Sequence, residues 1–228
     1  MRVELVGTAV ERTTAATDAL LALAAAAAIL LISQQTPPSF ARWVWQGALA
    51  SLAAASVLGA ITHGLAVSGG LRELLWQPLY LLLGVTMSLF VVGAVAERWG
   101  AWIARRALGP MLALALVFWG ATRVAGGDFL VFVGYEAAAL LFSLVIYLGL
   151  AATGRRPGAG TVGAALALSL IAGAVQAAPI DPVRLVWQFD HNGLFHLIQL
   201  LGLALLAAGL RRRLRARPAE LGNAQPPT

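Results

Sequence analysis

The sequence predicts an all-α integral membrane protein, a bundle of seven transmembrane helices with the N-terminus outside and the C-terminus inside. Three observations predict it. Of 228 residues, 60% are hydrophobic and only 11% charged, whereas a soluble domain carries roughly a quarter charged. Seven apolar runs recur along the chain, and a hydrocarbon core takes about 20 helical residues to cross. The sixteen basic residues are all arginine, and they divide unequally between the two sets of loops.

The runs come in order. After a mixed polar segment with Glu4, Glu11, Arg2 and Arg12, the first spans Asp18 to about Ser33 and is closed by Pro37-Pro38. Acidic residues ahead of it and its late start argue for a retained helix and against a cleaved signal peptide. The second covers Ala41 to Val67, with a Ser68-Gly69-Gly70 turn, and the third about Leu74 to Ala96. An amphipathic stretch, Trp99 to Gly109, leads into the fourth, Pro110 to Val124. Gly126-Gly127 breaks the chain before the fifth, Asp128 to Ala152. A Gly154–Gly158 loop precedes the sixth, Thr161 to Ala178, and a loop with Asp181 and Arg184 precedes the seventh, from about His191 to Leu210. Residues 1–212 read as one transmembrane domain. Residues 213–228 read as a basic, Pro-containing cytoplasmic tail without fixed structure.

Alternate loops fix the orientation. With the C-terminus inside, eleven arginines lie inside (Arg42, Arg98, Arg105, Arg106, Arg155, Arg156 and five in the tail) and five outside. That is the positive-inside pattern. Because the arginines flank apolar runs and form no face, nucleic-acid binding is not expected. The chain has no cysteine, which excludes disulfides and thiolate metal sites. Arginine, alanine and glycine richness without lysine points to a bacterial inner (plasma) membrane protein.

Polar residues inside the runs carry the functional reading. Asp18, His63, Trp76, Gln77, Tyr80, Asp128, Tyr135, Glu136, His191 and His196 all fall in the outer half of the predicted bundle. Ionisable groups at such depth are costly and face the bundle interior or a wet cavity. Asp18 and Asp128 also suit helix N-termini, where free amides and the dipole favour an acid. Glu136 lies deeper and must be neutral, paired or near water. Three histidines on one side suggest zinc, which takes neutral imidazoles and keeps a position open for water in catalytic sites. His191 and His196 are five apart, about 140° around an ideal helix, so they converge only if His191 sits in a turn capped by Asp190 or Asn192. Gln199 shares a face with His196, and Asp190 or Glu136 is placed to orient a ring.

These residues give the chain a resemblance. Thr17-Asp18, the Gly59-Ala-Ile-Thr-His-Gly64 run, Trp76 through Tyr80, and His191-Asn-x-x-Phe-His-x-x-Gln199 look like an uncharacterised bacterial branch of the CREST superfamily. That group includes the alkaline ceramidases, the progestin and adipoQ receptors and the hemolysin-III-like proteins. The resemblance implies seven helices and zinc-dependent amide hydrolysis on lipids, with His63, His191 and His196 as ligands. The pattern departs in places. The helix-seven pair is spaced His-x-x-x-x-His, Gly59 stands where a helix-two serine is usual, and helix three offers Gln77 and Tyr80 in place of an aspartate.

The expected function is therefore a zinc-dependent membrane hydrolase acting on an amide or ester bond of a lipid. Zinc would supply hydroxide, with Asp18, Asp128 or Glu136 as base and Tyr80 or Ser56 as oxyanion donor. The alternative is a non-catalytic protein, whether a small-ligand or lipid receptor, a proton or ion relay, or a structural subunit.

Overall fold

The computed structural model describes residues 4–127, 129–154 and 156–222, the last six of these as backbone only. Seven helices are found among them: α1 (Ala9–Gln35), α2 (Phe40–Gly64), α3 (Gly69–Trp99), α4 (Ala101–Val124), α5 (Phe129–Ala152), α6 (Ala159–Ala177) and α7 (His191–Gly222). All seven are long and apolar enough to cross a membrane, as in a multi-pass membrane protein. Between α6 and α7, β1 (Val183–Arg184) and β2 (Gln188–Phe189) pair antiparallel as a small hairpin.

The helices close a ring. Neighbouring contacts run α1–α2–α3–α5–α6–α7 and back to α1, while α4 packs outside on α3 and touches α5 lightly. α3 is the most enclosed helix and α4 the least. Ser39 and Ser68 cap α2 and α3 by accepting from the amides of Arg42 and Leu71, relieving donors that a helix start leaves unpaired.

Five elements differ from the sequence reading, among them α3, which starts at Gly69 where a turn was expected. α1 begins at Ala9, nine residues before Asp18. The segment 9–17 is rich in alanine, and Thr13 and Thr17 turn their hydroxyls back onto carbonyls of their own helix, so nothing breaks it. Asp18 is thus about 13 Å along the axis and is no cap. α4 is continuous through Pro110 and includes most of the amphipathic stretch. The 183–189 loop forms a hairpin pinned by buried Phe189. Finally, α7 runs on to Gly222, so residue 212 is no boundary. Arg213 is buried against Glu97, with Nε to Oε2 at 2.6 Å, which anchors helix where a free tail was expected. Residues 223–228 lie outside the described ones.

Small residues set the helix spacing. Lipid gives little hydrophobic drive for helix association, so close backbone approach and polar contacts matter more. On α3, Gly93 receives the Trp45 ring, which is fully buried and edge-on to Phe90 at 5.1 Å. Between α6 and α7, a Cβ on Gly209 would lie 2.9 Å from the backbone nitrogen of Val162 and 2.7 Å from its Cγ2. Backbone cannot yield there without parting the helices. Gly209→Ala is expected to cost about 1–3 kcal/mol. Gly120→Ala on α4, where a Cβ meets nothing within 4 Å, should be neutral or stabilising by up to about 1 kcal/mol. Thermal unfolding of the two variants in detergent checks the contrast.

Candidate functional site

A cavity of about 730 Å³ opens inside the ring, bordered by α1, α2, α3, α5, α6, α7 and the α4–α5 turn. Its deep wall includes Phe90, Leu166, Leu203 and Leu206, and its polar lining includes Asp18, Glu136 and all three histidines. Convergence on one end of the bundle, expected from topology, therefore holds for these residues.

The innermost arrangement joins α1 to α7. His196 is 7% exposed and Asp18 6%. The ring's Nδ1 lies 2.9 Å from the Thr17 hydroxyl, and its Nε2 lies 3.4 Å from Asp18 Oδ1. Thr17 Oγ1 also sits 2.8 Å from the Thr14 carbonyl, which can only accept. With its single proton given to that carbonyl, the hydroxyl accepts from His196 Nδ1–H, an assignment drawn from the bonding pattern. The Nε2 lone pair then faces the cavity beside Asp18. Backing this, Asp190 caps α7 by accepting from the Gly193 amide at 2.8 Å, and Thr14 donates to the same carboxyl oxygen at 3.1 Å.

Gly59 explains its own identity. A Cβ there would stand 2.6–2.8 Å from the atoms of the Asp18 carboxyl group, so the space at position 59 is taken by the acid. Gly59→Ala should swing that carboxyl away from His196. If the pair is catalytic, a displacement of about 1 Å can cost on the order of 10²-fold in rate, and alanine suits a helix, so turnover should fall while the unfolding midpoint stays put. Parallel turnover and melting measurements on Gly59→Ala check this.

His63 is held differently. Its Nδ1 lies 2.6 Å from Glu11 Oε2, and its ring meets Trp76 edge-on at 5.7 Å. Nearby, Val6 donates to the Gly64 carbonyl and Ala66 to the Glu4 carbonyl, fastening the N-terminal segment over the end of α2. Both His63 and His196 are thus anchored through Nδ1, the habit of ligating imidazoles. Yet among the described residues no three His, Asp or Glu side chains are gathered as around an ion. As placed, the side chains supply suitable donors but not a zinc centre.

The remaining candidates divide. Ser56 is buried and lines the cavity. The Tyr80 hydroxyl donates to the Gly127 carbonyl at 2.9 Å, so it braces the α4–α5 turn. His191 is the first residue of α7 and lines the cavity, with Asp190 as its cap. Gln199 accepts from Ser169 at 2.8 Å and Asn192 from Gln176 at 3.1 Å, so these two tie α7 to α6 where a role orienting a ring was expected. Asp128 lies outside the described residues. Glu136 is 3% exposed and lines the cavity. Sequence reasoning missed Thr14 as a partner of Asp190 and Glu11 as a partner of His63. The stripe Glu11, Thr14, Asp18, Leu21, spaced three and four apart, was the available signal.

No curated protein and no solved structure matches the chain. Residues 13–215 match a family of unknown function (DUF6962), and the chain belongs to that family.

Proposed function

We propose that the chain is a membrane-embedded hydrolase that cleaves an amide or ester bond of an amphiphile whose apolar chain lies in the cavity. The carrying observation is the buried Asp18–His196 pair on the wall of a cavity whose depth is apolar. In this reading the N-terminus and the hairpin lie outside and the C-terminus inside, in a bacterial inner membrane, as the arginine bias supports.

The chemistry follows from the pair. A water beside His196 Nε2 attacks the carbonyl carbon, and Nε2 takes its proton. Asp18 stabilises the imidazolium, and Thr17 keeps the ring from turning. Ser56, one turn from Gly59 on α2, donates to the oxyanion. The tetrahedral intermediate collapses as His196 returns the proton to the departing nitrogen or oxygen. No step is routed through zinc.

Two assays on protein purified in maltoside test the reading. Synthetic N-palmitoyl and O-palmitoyl substrates, followed by mass spectrometry, should release palmitate. Metal analysis decides the zinc expectation. About one zinc per chain, lost in His63→Ala and His196→Ala, would set an ion beside the pair, whereas a metal-free active protein leaves the work to the pair. Tight retention of lipid with no release of palmitate would favour the receptor alternative.

A further inference from the structure

Glu136 is the buried acid that the chemistry above does not use. It is the eighth residue of α5, about 10 Å along the helix axis, and lies off the α1–α7 wall that carries the pair. Its Oε2 has no hydrogen-bond partner among the described residues, although the side chain is 97% buried and lines the cavity. The backbone of α6 makes room for it. A Cβ on Gly173 would come within 3.4 Å of that oxygen. Burying a carboxyl without a donor costs several kcal/mol, and folded proteins seldom leave it so. The residue borders the cavity, so a group that enters there can reach its carboxyl.

The lining charge says which donor. Among the described residues that line it, Asp18, Glu73 and Glu136 contribute three carboxyls, beside the Arg123 guanidinium and the imidazoles of His63, His191 and His196. Arg123 lies over the Trp119 ring at 5.3 Å, on the α4 side. An anionic head would be repelled by an ionised Glu136, and a neutral alcohol would bring a hydrogen bond but no charge. An ammonium group brings both hydrogen-bond donors and the opposite charge to the Glu136 carboxylate.

We infer that Glu136 is the recognition site for a protonated amine on the amphiphile, so that the cavity takes a long-chain amine or an amine-bearing lipid. The inference rests on reading the cavity as a ligand site, and it names the class of ligand. Glu136 binds the ammonium while the apolar chain lies against Phe90, Leu166 and Leu203.

The test uses the purified full chain in maltoside with decylamine, decanol and decanoate, read by thermal shift and by equilibrium binding. The wild type should bind decylamine at least tenfold more tightly than decanol or decanoate. Glu136→Gln should lose that preference, and Glu136→Asp, which keeps the charge but shortens the reach, should keep it with weaker affinity. Equal binding of the three probes by the wild type overturns the inference, as does a Gln variant that prefers decylamine as strongly as wild type. The wild-type ranking decides the matter even if the variants fail to fold. Binding needs no turnover. Glu136-dependent amine binding without palmitate release sinks the proposed chemistry alone, and palmitate release without amine preference sinks this inference alone.

Discussion

Glu97→Ala is expected to be among the most destabilising single changes in the chain, at about 3–5 kcal/mol. Glu97 and Arg213 are 4% and 1% exposed, with Nε to Oε2 at 2.6 Å. They sit two turns beyond the cavity's deep wall, since Phe90 on α3 and Leu206 on α7 line it. Truncating the acid takes the carboxylate from a buried guanidinium that lies beside Leu210 and Leu214, and breaking a buried pair from one side is far worse than replacing both partners. For a protein of this size the unfolding midpoint should drop on the order of 10 °C. Removing both charges together, as Glu97→Leu with Arg213→Met, should restore most of the loss, because apolar replacement of a buried pair is often neutral or better. A double variant as unstable as Glu97→Ala would show that the two charges do more than satisfy each other.

That pair marks where sequence legibility ends. Seven apolar runs and their arginine fringe set the helix count, because length and apolarity are local properties. The depth of a residue is local too, once direction alternates, and so the histidines were placed at one end of the bundle. Pairings across the ring are not local. Arg213 stands in a run of arginines that reads as a basic tail, yet α6 packs against that turn of α7 and Glu97 of α3 meets its charge. His63 and Glu11 are 52 positions apart, and Thr17 and His196 are 179 apart. Nothing in either stretch announces its partner. Gly59 is the instructive case. Read against a serine pattern it was an absence, and in the fold it is the clearance that Asp18 occupies. The histidines follow the same rule: all three share a cavity, but the partners that hold them, Glu11 for His63 and Thr17 for His196, lie in distant stretches of sequence.

The second large effect concerns His196. If its Nε2 moves the proton, His196→Ala removes both the base and the acid, and general acid–base catalysis is worth about 10²–10⁴-fold. Asp18→Asn should cost less, since the amide keeps the shape and loses only the charge beside the imidazolium. Thr17→Val should lie between wild type and His196→Ala, because the ring stays in place without its hydroxyl partner. This order, with the ring worth more than either group that holds it, belongs to a working pair, and a merely structural polar cluster would show it in stability instead.

The most direct measurement is therefore palmitate release by the purified wild type and by His196→Ala, each with its unfolding midpoint recorded in the same maltoside. The account predicts release by the wild type and a loss of at least about 100-fold in a His196→Ala protein that melts within a few degrees of it. Release by His196→Ala at the wild-type rate, or none by a folded wild type on either substrate, would contradict it.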